Sequence, residues 1–125
     1  MMSAVIENDR ETKCDANGKN NSRICCKFCP SVILNQGATT LVTHEFILPH
    51  MHPKNKDDDG QVDTINDYWL VEDMYTFENI SVTKTVDNIK YLACADCEIG
   101  PVGYMDLDTK KSYVAISRVL YKDKT

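Results

Sequence analysis

Cys26-Lys27-Phe28-Cys29 and Cys94-Ala95-Asp96-Cys97 are two Cys-x-x-Cys knuckles, one near the start of the patterned part of the chain and one nearer its end, and their pairing governs how the rest is read. A two-residue gap lets each knuckle turn back on one ion, and four thiolates at tetrahedral corners suit Zn²⁺, a d¹⁰ cation with no geometric demand of its own. A closed shell of Cys26, Cys29, Cys94 and Cys97 leaves no position for a water. The expected cofactor is therefore one structural zinc that ties the start of the fold to its end. Cys25 adjoins the first knuckle, so Cys25-x₃-Cys29 is an alternative pairing, and two buried reduced dithiols are the plainer reading. A thioredoxin-like redox centre needs a helix opening after a strand, and the sequence has no βαβ pattern.

Outward from the knuckles the chain reads mostly as strand. Thr39 to Leu48, Phe77 to Thr83, Asn88 to Cys94 and Ser112 to Leu120 are rich in β-branched and aromatic residues, and Gly37, Asp87-Asn88, Gly100-Pro101, Gly103 and Asp108 punctuate them. Short strands at this spacing predict a mainly β, antiparallel, single-domain fold. In the last run Val114, Ile116 and Leu120 face one way while Tyr113, Ala115, Ser117 and Val119 face the other, so both faces are expected to be partly covered. No long amphipathic helix is expected, and Ile65 to Asp73 could form a helical turn. Residues 1–22 are polar and nearly free of aromatics, which predicts a disordered tail ahead of a domain spanning 23–125. Pro49 to Asp67, with Pro49 and Pro53 around His50 and His52, predicts a flexible loop within that domain. Roughly 85 residues then remain for a core, a size at which burial is marginal and a metal cross-link matters.

The whole chain has 125 residues, 42% hydrophobic and 26% charged, with a net charge of -5, which excludes a multidomain machine and disfavours duplex DNA or an anionic membrane as partner. Ala4-Val5-Ile6 is too short for a secretory signal, and no window approaches the roughly 18 apolar residues of a membrane span. These features point to the cytosol, where thiols stay reduced and the sequons Asn20-Asn21-Ser22 and Asn79-Ile80-Ser81 are uninformative. No catalytic motif assembles. His44-Glu45 begins a His-Glu-x-x-His signature, but Leu48 stands where the second ligand belongs. Asn55, Asp57, Asp59 and Gly60 mimic half an EF-hand loop, with Asn66 in place of its bidentate glutamate. His50-Met51-His52 reads as a surface pair.

Between Asp67 and Ile99 there are seven acidic residues against two basic ones, so the chain's entire charge imbalance falls in this segment. Tyr68-Trp69-Leu70-Val71-Glu72-Asp73-Met74-Tyr75-Thr76-Phe77 mixes large apolar side chains with carboxylates, a combination that supplies buried anchors and electrostatic steering. With Phe77-Glu78-Asn79, Thr83-Lys84, Asn88-Ile89-Lys90-Tyr91 and Cys94 to Tyr104, this run resembles the Rab-interacting factor, the Mss/Dss family of zinc-containing Rab guanine-nucleotide exchange factors. The likeness is close over Tyr68 to Val119 and looser over Ile24 to Leu48.

The resemblance implies a zinc-bound β-tent fold, as in translationally controlled tumour protein, and chaperone-like binding of nucleotide-free Rab GTPases of the exocytic, secretory pathway. By position it implies Cys26, Cys29, Cys94 and Cys97 as zinc ligands. Asp73, Met74, Tyr75 and Asp96 match the family's Rab-contacting region, which extends to Glu72, Phe77 and Asn88. Tyr75 departs from the family's usual Phe, and Pro30 from its usual Gly. A monomer acting without a chemical step of its own is expected. The competing reading is a thiol oxidoreductase resembling methionine-sulfoxide reductase, which needs a reactive cysteine outside the four ligands and has only Cys14 and Cys25. A zinc-ribbon nucleic-acid module is a third reading, disfavoured by charge.

Overall fold

A computed structural model describes residues 18–53 and 60–122. Eleven strands follow in chain order: β1 Arg23–Cys25, β2 Val32–Leu34, β3 Thr40–Pro49, β4 His52–Pro53, β5 Val62–Val71 and β6 Ser81–Val86 lead into β7 Ile89–Ala93, β8 Ile99–Gly100, β9 Gly103–Asp106, β10 Ser112–Ala115 and β11 Leu120–Lys122. Two 3₁₀ turns, Met74–Thr76 and Ile116–Arg118, are the only helical elements among the described residues. No helix there is long and apolar enough to cross a membrane. The strands form a six-stranded sheet in the order β3-β5-β10-β9-β7-β6, a three-stranded sheet β11-β1-β2, and the pair β4-β8. Every pairing is antiparallel, so the fold is mainly β as the sequence predicts.

The central strands β5 and β10 are covered on both faces. Trp69, Val71 and Val114 meet Ile24, Ile33 and Leu34 of the small sheet, with Cys26 and Cys94 in the same cluster. Tyr68 and Ala115, one residue out of phase, belong instead to a second cluster with Leu48, Ile65 and Tyr104. Alternating side chains reach opposite faces of a strand, so both Tyr68-Trp69 and Val114-Ala115 are consecutive buried pairs. The Trp69 indole N–H donates to the Tyr121 hydroxyl at 2.9 Å, which donates to the Ile116 carbonyl at 2.7 Å, so the largest core side chain carries no orphaned polar atom. On the second face the ring of Phe46 stacks on Tyr104 and His44 stacks on Tyr113, with centroids 3.8 and 4.9 Å apart.

Several expectations change. Ile65 to Asp73 is no helical turn: it is strand through Val71, and the consecutive burial of Tyr68 and Trp69 on opposite faces removes the two-residue alternation that would have marked it. Val62 to Asp67, within the stretch expected to be a flexible loop, pairs with β3 in the long β3–β5 hairpin, and His52–Pro53 pairs with β8. The expected run Ser112 to Leu120 breaks at Ile116–Arg118, which returns Val119 to the core and leaves Leu120 exposed. The run expected over Phe77 to Thr83 begins later, at Ser81. Within the expected tail, Lys19 bridges Thr40, and Asn20 is buried. Its amide donates to the carbonyls of Ser22 and Asn35 and accepts from the Thr39 N–H, a polar anchor that hydrophobicity does not register. Residues 1–17, with Cys14, and 54–59 lie outside the described residues.

Candidate metal centre and the adjoining groove

The first knuckle lies between β1 and β2 and the second between β7 and β8, so the packing of the small sheet onto the large one brings them together. Local hydrogen bonds close each turn. The Cys26 N–H donates to the Ser31 carbonyl at 2.9 Å and the Phe28 N–H to Cys26 Sγ at 3.3 Å. In the second knuckle the Glu98 N–H donates to the Cys94 carbonyl at 2.9 Å, with Glu98 in the left-handed region at φ 61°.

The four sulfurs of Cys26, Cys29, Cys94 and Cys97 all lie within 4.8 Å of one another. Cys26 and Cys97 are 3.6 Å apart, and Cys29 and Cys94 are 3.5 Å apart. A tetrahedron with Zn–S bonds of about 2.3 Å has edges of about 3.8 Å, so the donor set fits a thiolate-bound metal ion. The alternative pairing through Cys25 does not form, since Cys25 stands outside this cluster as a buried residue of β1. With no metal, burial pushes the Cys26 thiol up to about 12 and also raises Cys97, whereas hydrogen bonds from Ser31 lower Cys29 to about 7. The low-lying thiol and the N–H donors on sulfur are the features that favour thiolate.

Polar side chains surround the sulfurs. Asn79 Nδ2 donates to Cys94 Sγ at 3.6 Å and to Asp96 Oδ2 at 3.2 Å, while its Oδ1 accepts from the Ala95 N–H at 3.0 Å. Ser31 donates to the same Asp96 oxygen and lies 3.5 Å from Cys29 Sγ. Next to this network is an open groove of about 550 Å³, lined by Met74, Tyr75 and Phe77, by Glu78, Asn79 and Ile80 after them, and by Ala95 and Asp96 of the second knuckle.

Four residues singled out from the sequence, Met74, Tyr75, Phe77 and Asp96, thus line one groove. Asp73 is beside it and caps the 3₁₀ turn, its Oδ1 accepting from the Tyr75 N–H at 2.9 Å. That cap orients Tyr75, which is 95% exposed. Glu72 is exposed at the end of β5. Asn88 is in the β6–β7 turn and is not among the groove residues. Asn79 and Ser31 were not singled out as site residues from the sequence, because cross-chain hydrogen bonds leave no periodic signal, and Glu78 and Ile80 entered only within longer runs. Asn79 was visible only as part of a sequon and of the family-like run.

The fold and this site define a class: a small β domain whose two cysteine knuckles can hold a metal ion beside an acidic, partly apolar groove. The chain belongs to the Mss4 family, whose model, described as Mss4 protein, matches residues 19–121. It is 46% identical over 111 residues to a guanine nucleotide exchange factor MSS4 homolog of Drosophila melanogaster, covering 85% of this chain and 88% of that protein. A protein of the same name from Schizosaccharomyces pombe is 40% identical over 87 residues, covering 69% of this chain and 83% of the relative. The oxidoreductase reading gains no support, since Cys25 is 1% exposed and Cys14 lies outside the described residues.

Proposed function

We propose that this chain is a guanine-nucleotide releasing factor for Rab GTPases of the secretory pathway. It acts as a cytosolic monomer in protein transport and vesicle traffic, and it holds the emptied GTPase in a chaperone-like manner. The observation that carries the reading is the shared groove: Met74, Tyr75, Phe77 and Asp96 converge beside the cysteine cluster, in a family whose relatives carry the exchange-factor name. Cys26, Cys29, Cys94 and Cys97 are assigned as ligands of one structural zinc, which supplies a cross-link and no reaction chemistry.

Such a factor needs no bond to be made or broken. If it binds the empty GTPase more tightly than the loaded one by some factor, nucleotide affinity falls by the same factor in the complex. A nucleotide held at nanomolar to picomolar affinity is bound by about 12 to 16 kcal/mol, so the groove must compete with contacts of that size. The carboxylates of Asp73 and Asp96 suit the cationic surroundings of the GTPase's phosphates, its lysine or its magnesium. Met74 and Tyr75 suit apolar surface bared when the switch loops loosen. Glu72, Phe77 and Asn88 extend the same contact.

The test is release of a fluorescent GDP from a panel of Rab GTPases at increasing concentrations of this protein. At least one Rab should release faster, with a rate that saturates, and the effect should vanish after chelation of the metal. The reading fails if every Rab releases GDP at its intrinsic rate.

A further inference from the structure

Asn79, on the approach to β6, directs both the N–H groups and the carbonyl of its side chain at the second knuckle. A primary amide offers two N–H donors and one carbonyl. Here the carbonyl holds the Ala95 N–H, one donor meets a sulfur of the four-cysteine cluster, and the other meets the carboxylate that lines the groove. The carboxylate oxygen it holds, Asp96 Oδ2, also accepts from Ser31, whose hydroxyl touches Cys29 Sγ. Asp96 is therefore suspended from two side chains, each in contact with a sulfur of a different knuckle. Its residue is exposed, and its Oδ1 has no hydrogen-bond partner among the described residues.

We propose that Asn79 is a positioning residue that couples the four-cysteine centre to the groove. It fixes the Asp96 carboxylate so that Oδ1 meets a cationic group of the partner, and it ties that orientation to the arrangement of the sulfurs. The inference deepens the exchange-factor reading and rests on it for the partner's identity. Its physical basis is the shared amide: a metal-bound sulfur is an acceptor, so it attracts the Asn79 N–H, and the second N–H of the same rigid plane carries Asp96 with it. A shift of the Cys94 sulfur would turn the amide plane of Asn79 and with it the N–H that orients Asp96, leaving Ser31 as the second hold on that carboxylate. Outer-shell partners of this kind characteristically change metal affinity 10- to 100-fold when removed.

The experiment compares the zinc-loaded full chain with its Asn79→Ala, Asn79→Asp and Asp96→Ala variants and the Asn79→Ala/Asp96→Ala double variant. Asn79→Asp retains the acceptor for Ala95 N–H and so keeps the knuckle backbone if Asn79→Ala folds poorly. Three quantities are read: the rate of zinc transfer to a chromogenic chelator, the thiolate-to-metal charge-transfer band after Co²⁺ substitution, and affinity for a nucleotide-depleted Rab GTPase. Both Asn79 variants should transfer zinc roughly tenfold faster and shift the Co²⁺ band, as expected for a lost N–H···S bond. Asn79→Ala should weaken GTPase binding about tenfold, and the double variant should bind no more weakly than Asp96→Ala alone, since the two residues act as one unit. Additive losses in the double variant would overturn the proposal by showing that Asn79 acts independently of Asp96. An unshifted band with unchanged zinc transfer would overturn it by showing that Asn79 does not act on the metal centre. If the wild-type chain binds no GTPase, the exchange reading fails by itself. The coupling is then decided by zinc transfer alone: Asp96→Ala should accelerate it in the wild-type background and leave it unchanged in the Asn79→Ala background.

Discussion

Tyr75 presents nearly its whole side chain to solvent at the tip of a capped turn, so it buries almost no surface within the chain. Its removal should therefore leave the fold alone and weaken the partner complex. Tyr75→Ala is expected to keep the melting temperature of the parent and to cost about 2 kcal/mol of GTPase binding, the scale of an aromatic anchor. Calorimetric melting and titration together check this. Tyr68 represents the opposite case: it is fully buried and donates its hydroxyl to the Phe46 carbonyl at 3.0 Å. Burial pushes its phenol up to about 12 from the ordinary 10.0, against a smaller lowering by Arg118. A folded pKa above the unfolded one gives stability that is complete below about pH 10 and lost as pH rises through about 12. Tyr104, raised by the same cause, adds to the loss. Urea midpoints should fall across that window, and the fall should be shallower in Tyr68→Phe.

Among the elements, the 3₁₀ turn Ile116–Arg118 joins more of the fold than its three residues suggest. Arg118 is buried, and its Nη1 donates to the Pro49 carbonyl at 2.7 Å and the Pro101 carbonyl at 2.8 Å, while Nη2 reaches Asp63 at 3.1 Å. These bonds fasten the end of β3, the start of β5 and the turn before β9. Arg118→Met should destabilise by at least about 2 kcal/mol, mainly from carbonyls left unpaired, with metal content unchanged. Denaturant titration and metal analysis measure the two effects separately. Arg118 also shows what the sequence concealed. A run such as Ser112 to Leu120 reads as one strand because its residue types are right, yet the turn inside it is set by distant carbonyls. The knuckle spacings were legible because metal chemistry fixes them locally, whereas the residues of Glu72 to Phe77 were picked out by the family resemblance, composition having marked only the broader mix of apolar side chains and carboxylates over Tyr68 to Phe77. The strand through Tyr68-Trp69 in β5 and the buried Asn20 were illegible for opposite reasons: β5 is buried on both faces at that point, and one core position is filled by an amide.

At the scale of the molecule, the two knuckles meet where the small sheet packs on the large one, and the groove proposed for the partner adjoins them. Structural zinc in such sites has an apparent binding energy of about 10 to 16 kcal/mol, comparable to the whole stability of a domain. Chelation should therefore unfold the chain cooperatively, with loss of the near-ultraviolet signal of Trp69, and re-addition of zinc should restore it. Circular dichroism followed against chelator concentration gives the result directly. The two faces of the large sheet contribute differently, since the face toward the small sheet carries the cysteines while the aromatic face holds Tyr68, Tyr104 and Phe46. The alkaline loss and the chelator loss should thus be separable.

The most direct measurement takes a complex of this chain with a nucleotide-depleted Rab GTPase and adds excess GDP or GTP while complex is followed by size exclusion or fluorescence anisotropy. The account predicts that either nucleotide dissociates the complex, because protein and nucleotide lower each other's affinity by one shared factor. A complex that survives saturating guanine nucleotide with its affinity unchanged would contradict it.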